Sequence, residues 1–313
     1  MDFKHLNSLL AVQKNFNTDD VCRKHLENVL WDGEPICPHC KNVGSYTLKD
    51  NRSYRCKNKE CKKTFTVTVG TIFDNTKIPL PKWFAAMYLV TSHKKGISSC
   101  QLAKDIEISQ HSAWFVLGRI REMLRTPSNG EITTTVEIDE TYVGGKNKNR
   151  HSNKKLPGTG TANKTMVFGI LERNGNVQNF MVDANDGKTL QPIINDKLGK
   201  GATIITDTHG AYKDIDRTPD KDYRHEAVNH SGGEYVRDSY HTNNIEGYWG
   251  GLKRGIYGIY HHVTSKHLHR YCNEFGFRYN TRKQSEGERF NNALLQAAKR
   301  LRYYDLIEKD VVS

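Results

Sequence analysis

No stretch of this sequence approaches the ~20 consecutive apolar residues of a membrane-spanning helix, which argues against a helical membrane protein. The first ten residues lack the apolar centre of a secretory signal and carry Asp2, Lys4 and His5. The expected location is therefore cytoplasmic: beside the nucleoid in a bacterium, nuclear in a eukaryote. Apolar residues are themselves scarce, at 36%, so the core is modest and the surface wet. Mean hydropathy is −0.72. Acidic residues are the scarcer charge, 35 against 47 Lys and Arg, and the net charge is +12. That excess asks for a polyanion, and with no membrane signal the partner expected is nucleic acid. Seven cysteines in a reducing compartment read as thiols or metal ligands rather than disulfides. A length of 313 residues allows two or three domains.

The rest of the chain is organised around Val136–Gly145, VEIDETYVGG. Thr133, Thr134, Thr135, Val136 and Ile138 form a β-branched run, which predicts a buried strand. Asp139 arrives at or near its end with Glu140 beside it, and Gly144 and Gly145 turn the chain. A carboxylate on an apolar strand is costly to bury unless it is paired or binds metal. Two partners are available. Ala202–Asp207, ATIITD, is a second apolar strand ending in an acid. Asn243–Lys253, NNIEGYWGGLK, is helix-like with Glu246 near its start. Asp139, Asp207 and Glu246 together make a candidate cage for divalent metal. Alone, each Asp is also compatible with capping a turn. Glu246 has its own alternative, as third helical residue of a capping box begun by Asn243. Lys253 tilts against that alternative: it lies two helical turns after Glu246, on nearly the same face, where a cation suits phosphate above a metal. Ile245, Trp249, Leu252 and Ile256 would form the packed face.

Ahead of this region, residues 3–12 and 18–31 carry apolar positions at helical spacing and read as a helical lead-in, with Thr18 a fair helix start. Cys37, Cys40, Cys56 and Cys61 follow as C-x2-C, fifteen residues, C-x4-C. Two short thiolate knuckles fit one closed, tetrahedral, structural zinc site in a zinc ribbon. Lys57, Lys59, Lys62 and Lys63 crowd the second knuckle, either to touch phosphate or simply as a solvated face. Residues 79–125 read as helices whose last two, across Ile108-Ser109, match helix-turn-helix arithmetic. Any small helical bundle shares that degenerate pattern. In the DNA-binding reading Gln110 and His111 tip the recognition helix, and Arg119, Arg121 and Arg125 are free to meet phosphates.

After the first acidic strand, Lys146–Lys164 holds six Lys or Arg and no acid, with Lys146, Lys148 and Arg150 nearest the cage. It reads as a solvated loop or a clamp on DNA. Thr165–Leu171 and Val177–Val182 are strands of a hairpin through Asn174-Gly175, and Lys188–Leu198 is an amphipathic helix. Tyr212–Asp238 is left mostly irregular, and Leu268–Tyr279 and Arg289–Leu306 are two closing helices. Three strands, a helix, a strand and a later helix bearing the Glu resemble the ribonuclease-H-like fold. The fold class expected is α/β, multidomain. The divisions are residues 1–75, lead-in and zinc ribbon; 76–128, helix-turn-helix; 129–285, ribonuclease-H-like domain; and 286–313, a C-terminal helix.

The Cys37–Cys61 ribbon, VEIDETYVGG and the stretch from His241 to Asn280 (HTNNIEGYWGGLKRGIYGIYHHVTSKHLHRYCNEFGFRYN) together resemble the insertion-sequence DDE transposases with an amino-terminal zinc ribbon, the ISXO2-like group related to Merlin elements. TKIPLPKWF at 76–84 and SAWFVLGRIREML at 112–124 add to the likeness. The resemblance implies that Asp139, Asp207 and Glu246 hold two Mg²⁺ or Mn²⁺ ions, roughly 4 Å apart in such two-metal sites. It maps the family's trailing lysine onto Lys253. It implies cleavage at transposon ends, then joining of the freed 3′-OH to target DNA, by a homodimer or higher oligomer on DNA. Lys253 and Arg254 would position phosphate, and Asn243 and His241 would touch DNA or cap the helix. His209, just after Asp207, is a candidate support for it or a surface residue. The rival readings are a transposase-derived DNA-binding regulator and a ribonuclease-H-like nuclease without strand transfer.

Overall fold

The computed structural model describes residues 6–125, 130–145, 164–228, 240–297 and 301–307. They fall into two compact units, Met1–Arg125 with Lys283–Ser313, and Thr126–Arg282.

The first unit begins with α1 (Leu9–Asn15) and α2 (Asp19–Trp31). Ser8 and Thr18 cap them, each accepting a backbone N–H three residues on. A three-stranded antiparallel sheet follows, β1 (Ser45–Thr47), β2 (Tyr54–Cys56) and β3 (Thr64–Phe65). Phe65 packs there with Trp31, Tyr54 and Val69 around the cysteines. Then come α3 (Leu80–Ser92), α4 (Ser99–Asp105) and α5 (Gln110–Met123), with Ser98 and Ser109 as N-caps of the last two. The helix α3 is apolar nearly all round, and ten of its thirteen residues are buried; such a helix belongs at the centre of a bundle. It receives α9 (Glu286–Leu295), which opens on a capping box of Ser285 and Glu288. Phe290 of α9 meets the rings of Phe16 and Phe84 at 5.9 and 5.6 Å. The chain after Arg282 thus completes the amino-terminal core instead of standing apart. The long closing helix expected over 289–306 is two, α9 and α10 (Tyr303–Ile307), with residues 298–300 outside those described.

The second unit is a five-stranded sheet in the order β6-β5-β4-β7-β8. Its strands are β4 (Thr135–Val143), β5 (Thr165–Glu172), β6 (Val177–Val182), β7 (Thr203–Asp207) and β8 (Arg224–Val228). The first three pair antiparallel; β7 lies parallel to β4, and β8 parallel to β7. This is the ribonuclease-H-like arrangement. The β5–β6 turn is the expected one, with Asn174 at φ +60°. Between β7 and β8 the chain makes two 3₁₀ turns, Gly210–Tyr212 and Ile215–Arg217. The strand β8 was not foreseen because RHEAV carries little apolar pattern: it is an edge strand, defined by its ladder with β7.

Alternation along β4 sorts its side chains to two faces. Val136 and Ile138 pack with Phe168, Ile204 and with Leu190 and Ile194 of α6 (Gly187–Lys197). Val143, with Val167 and Leu171 of β5, faces α7 (Asn243–Gly255) and α8 (Ser265–Asn280). The helix α7 buries Ile245, Trp249 and Leu252, the stripe expected from its spacing. None of the described helices is long and apolar enough to cross a membrane.

Candidate active site and zinc centre

Asp139 does not end its strand. It sits at the middle of β4, which runs four residues further to Val143. Extension past the acid follows from the neighbour: β5 pairs residue for residue along all of Val136–Val143, with Asp139 opposite Gly169. On its other side β4 pairs with β7 through Glu137 and Ile205. Two residues on from that pair, the parallel strands carry Asp139 and Asp207. Both acids share parity with Glu137, so both belong to the face that α7 covers.

The helix α7 is seated on that face by Trp249. Its indole Nε1 donates to Asp139 Oδ2 at 3.1 Å. Gly169 makes room for the ring: a Cβ there would lie 2.5 Å from Trp249 Cζ2. Glu246, exposed in the first turn of α7, accepts from the Thr242 hydroxyl at 3.1 Å. The capping-box alternative does not describe this helix end, because Asn243 is inside the helix and Thr242 is the N-cap. The N–H groups of Asn244 and Ile245, which a cap would satisfy, donate instead to Glu137 Oε2 at 3.0 and 3.1 Å. Glu137 was missed from sequence. The available signal was its spacing, two residues before Asp139 on a strand.

Burial pushes the Asp139 carboxyl up to about 7, and Glu140, Asp207 and Glu246 add repulsion. Glu140 points to the other side of β4, where the Tyr212 hydroxyl donates to it at 2.6 Å; burial raises its pKa as well. The backbone N–H of His209 donates to Asp207 Oδ1 at 3.0 Å, which orients that acid from the chain just beyond it. Carboxylate oxygens that repel one another's charge are the donors a hard divalent cation takes, so the chemistry of Asp139, Asp207 and Glu246 suits Mg²⁺ or Mn²⁺, although the three are not drawn together as tightly as the cysteines of the first unit.

Lys253 and Arg254 occupy the last turn of α7, the lysine half-buried and the arginine exposed. Asn243 is exposed at the helix start, and His241 Nδ1 lies 3.5 Å from Glu137 Oε1. Lys146, Lys148 and Arg150 lie outside the described residues.

In the first unit the four cysteines converge. Their sulfur atoms all lie within 4.8 Å of one another. Cys37–Cys61 is 3.8 Å and Cys40–Cys56 3.6 Å. A tetrahedron of Zn–S bonds near 2.3 Å has edges of about 3.8 Å, so these two pairs already stand at the spacing zinc needs. Among the described residues it is the one group of three or more His, Cys, Asp or Glu gathered so tightly. Lys57, Lys59, Lys62 and Lys63 are exposed around it, with Lys57 Nζ 5.2 Å from the Tyr46 ring centre.

The helix-turn-helix residues divide. Gln110 and His111 are exposed at the start of α5, bonded to Ser99 and to the Tyr303 hydroxyl. Arg119 is not a surface arginine as expected; it is 4% exposed. Its guanidinium donates to the carbonyls of Leu301, Ile72 and Asp74 and lies 4.5 Å from the Phe115 ring centre. Arg121 is buried as well, and Arg125 alone of the three is exposed. For Arg119 the expectation failed because that side of α5 meets residues 72, 74 and 301, contacts no local pattern reveals.

Comparison with known proteins bears on both units. Residues 131–280 match the family described as ISXO2-like transposase domain, and residues 17–64 the transposase zinc-ribbon domain. The chain is 28% identical over 249 residues to an uncharacterized protein in transposable element ISH50 of Halobacterium salinarum, spanning 74% of this chain and 81% of that protein. It is similar to the pre-cleavage Mos1 transpososome structure at 13% identity and TM-score 0.30, over 70% of this chain and 80% of that one. For the Mos1 Strand Transfer Complex the values are 14% and 0.25, over 70% and 79%.

Proposed function

We propose that this chain, whose residues 131–280 match the ISXO2-like transposase domain and residues 17–64 the transposase zinc ribbon, cuts DNA at the ends of its element and joins the 3′ ends to target DNA, with Asp139, Asp207 and Glu246 as ligands of catalytic divalent metal. The observation that carries the reading is the placing of Asp139 and Asp207 on adjacent parallel strands, on the face that α7 covers with Glu246 in its first turn. Divalent metal bound there supplies activation of the attacking oxygen and stabilisation of the leaving 3′ oxygen.

The chain's own residues bind and orient. Asp139 accepts from Trp249, which turns its Oδ2 and ties the acid to the helix. Asp207 is held by the N–H of His209. Lys253 and Arg254, at the end of α7, present positive charge to a DNA phosphate, and Asn243 and His241 flank the start of the same helix. Lys146, Lys148 and Arg150 add charge for the backbone. The zinc ribbon and the α4–α5 pair, with Gln110 and His111 foremost, recognise the terminal repeats. Two or more copies work together on paired ends, in the cytoplasm beside the nucleoid or in a nucleus.

The test is cleavage and strand transfer on DNA carrying the element's own ends, with Mg²⁺ or Mn²⁺. Asp139→Asn, Asp207→Asn and Glu246→Gln should each remove both activities and leave end binding nearly intact. Joining absent from a wild-type protein that still cuts would make it a nuclease. Binding without cutting would make it a regulator.

A further inference from the structure

Glu137 is fully buried, at 0% exposure. A carboxylate so placed is costly unless strongly paired. Its Oε2 accepts from the N–H groups of Asn244 and Ile245, at 3.0 and 3.1 Å. Its Oε1 accepts from Asn244 Nδ2 at 2.7 Å and Arg173 Nε at 3.2 Å, and His241 Nδ1 lies 3.5 Å away. A carboxylate has about four acceptor positions, so little capacity is left for a metal.

The donors are not random neighbours. Asn244 and Ile245 open α7, and their N–H groups are among those a helix start leaves without an internal acceptor. Thr242 supplies no side-chain cap. The cap therefore comes from a strand, and the positive end of the helix dipole favours the negative charge. Arg173, in the β5–β6 turn, brings a third element: its Nη2 donates to the His241 carbonyl at 3.2 Å, just before α7. One side chain thus joins the strand of Asp139 to the first turn of the helix of Glu246.

We infer that Glu137 is a positioning residue for the metal site: it pins the start of α7 to β4 and so sets where Glu246 stands relative to Asp139, without touching metal or DNA itself. The inference rests on the reading of Asp139, Asp207 and Glu246 as metal ligands. Residues that orient metal ligands commonly change metal affinity by about 10- to 100-fold when altered. Packing alone does not ask for this arrangement, since apolar residues of like volume often serve as well as a buried ion pair.

The experiment is Mn²⁺ binding to the zinc-loaded full chain without DNA, by calorimetry and by the electron paramagnetic resonance of free Mn²⁺, for wild type, Glu137→Gln, Asn244→Ala and Glu246→Gln. Circular dichroism and melting temperature are recorded for each. The expected result is Mn²⁺ affinity about 10- to 100-fold weaker in folded Glu137→Gln, weaker in Asn244→Ala, and nearly absent in Glu246→Gln. A purely structural Glu137 would lower the melting temperature and leave the affinity of the folded protein alone. Wild-type affinity in folded Glu137→Gln, beside a loss in Glu246→Gln, overturns the positioning role and spares the carboxylate reading. Wild-type affinity in Glu246→Gln overturns both. If Glu137→Gln does not fold, Asn244→Ala decides, since its side chain is exposed: weakened binding supports the inference and unchanged binding overturns it.

Discussion

The indole of Trp249 donates to Asp139 across a space that exists because Gly169, directly opposite on the next strand, has no side chain. Helix, acid and glycine form one contact. Gly169→Ala would bring a methyl carbon within 2.5 Å of the ring and displace it. The expected cost is about 1–3 kcal/mol of stability, as for other overpacked cores. Cleavage should fall as well, because Asp139 loses its donor. Urea denaturation and a cleavage assay check this together; an unchanged midpoint with full activity would show that α7 sits elsewhere.

The Asp139 carboxyl, raised to about 7 from an ordinary 3.8 mainly by burial, makes a prediction about pH. Below about 4 it is protonated in both folded and unfolded chains. Between about 4 and 7 the unfolded chain ionises while the folded one keeps its proton. The metal-free protein should therefore lose stability as pH rises through that window, on the order of a few kcal/mol, and level off above it. Urea midpoints from pH 5 to 8, without added Mg²⁺ or Mn²⁺, should fall for the wild type and much less for Asp139→Asn. Mn²⁺ should restore stability at pH 8 and little at pH 5, since it binds the ionised form.

Arg119 is the test of the corrected helix-turn-helix. Arg119→Met leaves the carbonyls of Leu301, Ile72 and Asp74 without their charged donor. A loss of about 3 kcal/mol or more is expected from hydrogen bonds of this kind. The slope of DNA affinity against salt should stay as in the wild type, because no phosphate contact is removed. Arg125→Met, at an exposed position, should instead make that slope shallower, with a loss of stability of its own because Arg125 pairs with the buried carboxylate of Glu122.

For zinc, Cys37→Ser and Cys56→Ser should each release the metal and unfold the β1–β3 ribbon, since both cysteines are buried in its small core. Metal analysis should find one zinc per wild-type chain and far less in either variant. The near-ultraviolet signal of Trp249 and Tyr248, in the other unit, should persist. Metal-free wild-type protein with an ordered ribbon would sink the assignment.

Local chemistry was enough for much of this protein. The knuckle spacing of Cys37–Cys61 marked the zinc site because each short loop offers a pair of thiolates and two such pairs suit one tetrahedral ion. Thr18 and Ser98 start their helices through bonds to backbone three residues away. Runs of β-branched residues marked β4, β5 and β7, and the motif around Asp139 and Glu246 carried the family. What pairs with what across the chain was not legible. That β4 continues past Asp139 is decided by β5; that RHEAV is a strand, by β7. Arg119 looks like any helix-surface arginine until residues 72, 74 and 301 close over it. Glu137 reads as an ordinary strand acid until a helix more than a hundred residues later sets two free N–H groups on it. Bonds within a few residues follow from the local sequence, whereas the desolvation of a charge and the partner that offsets it depend on which distant segments the tertiary fold brings together.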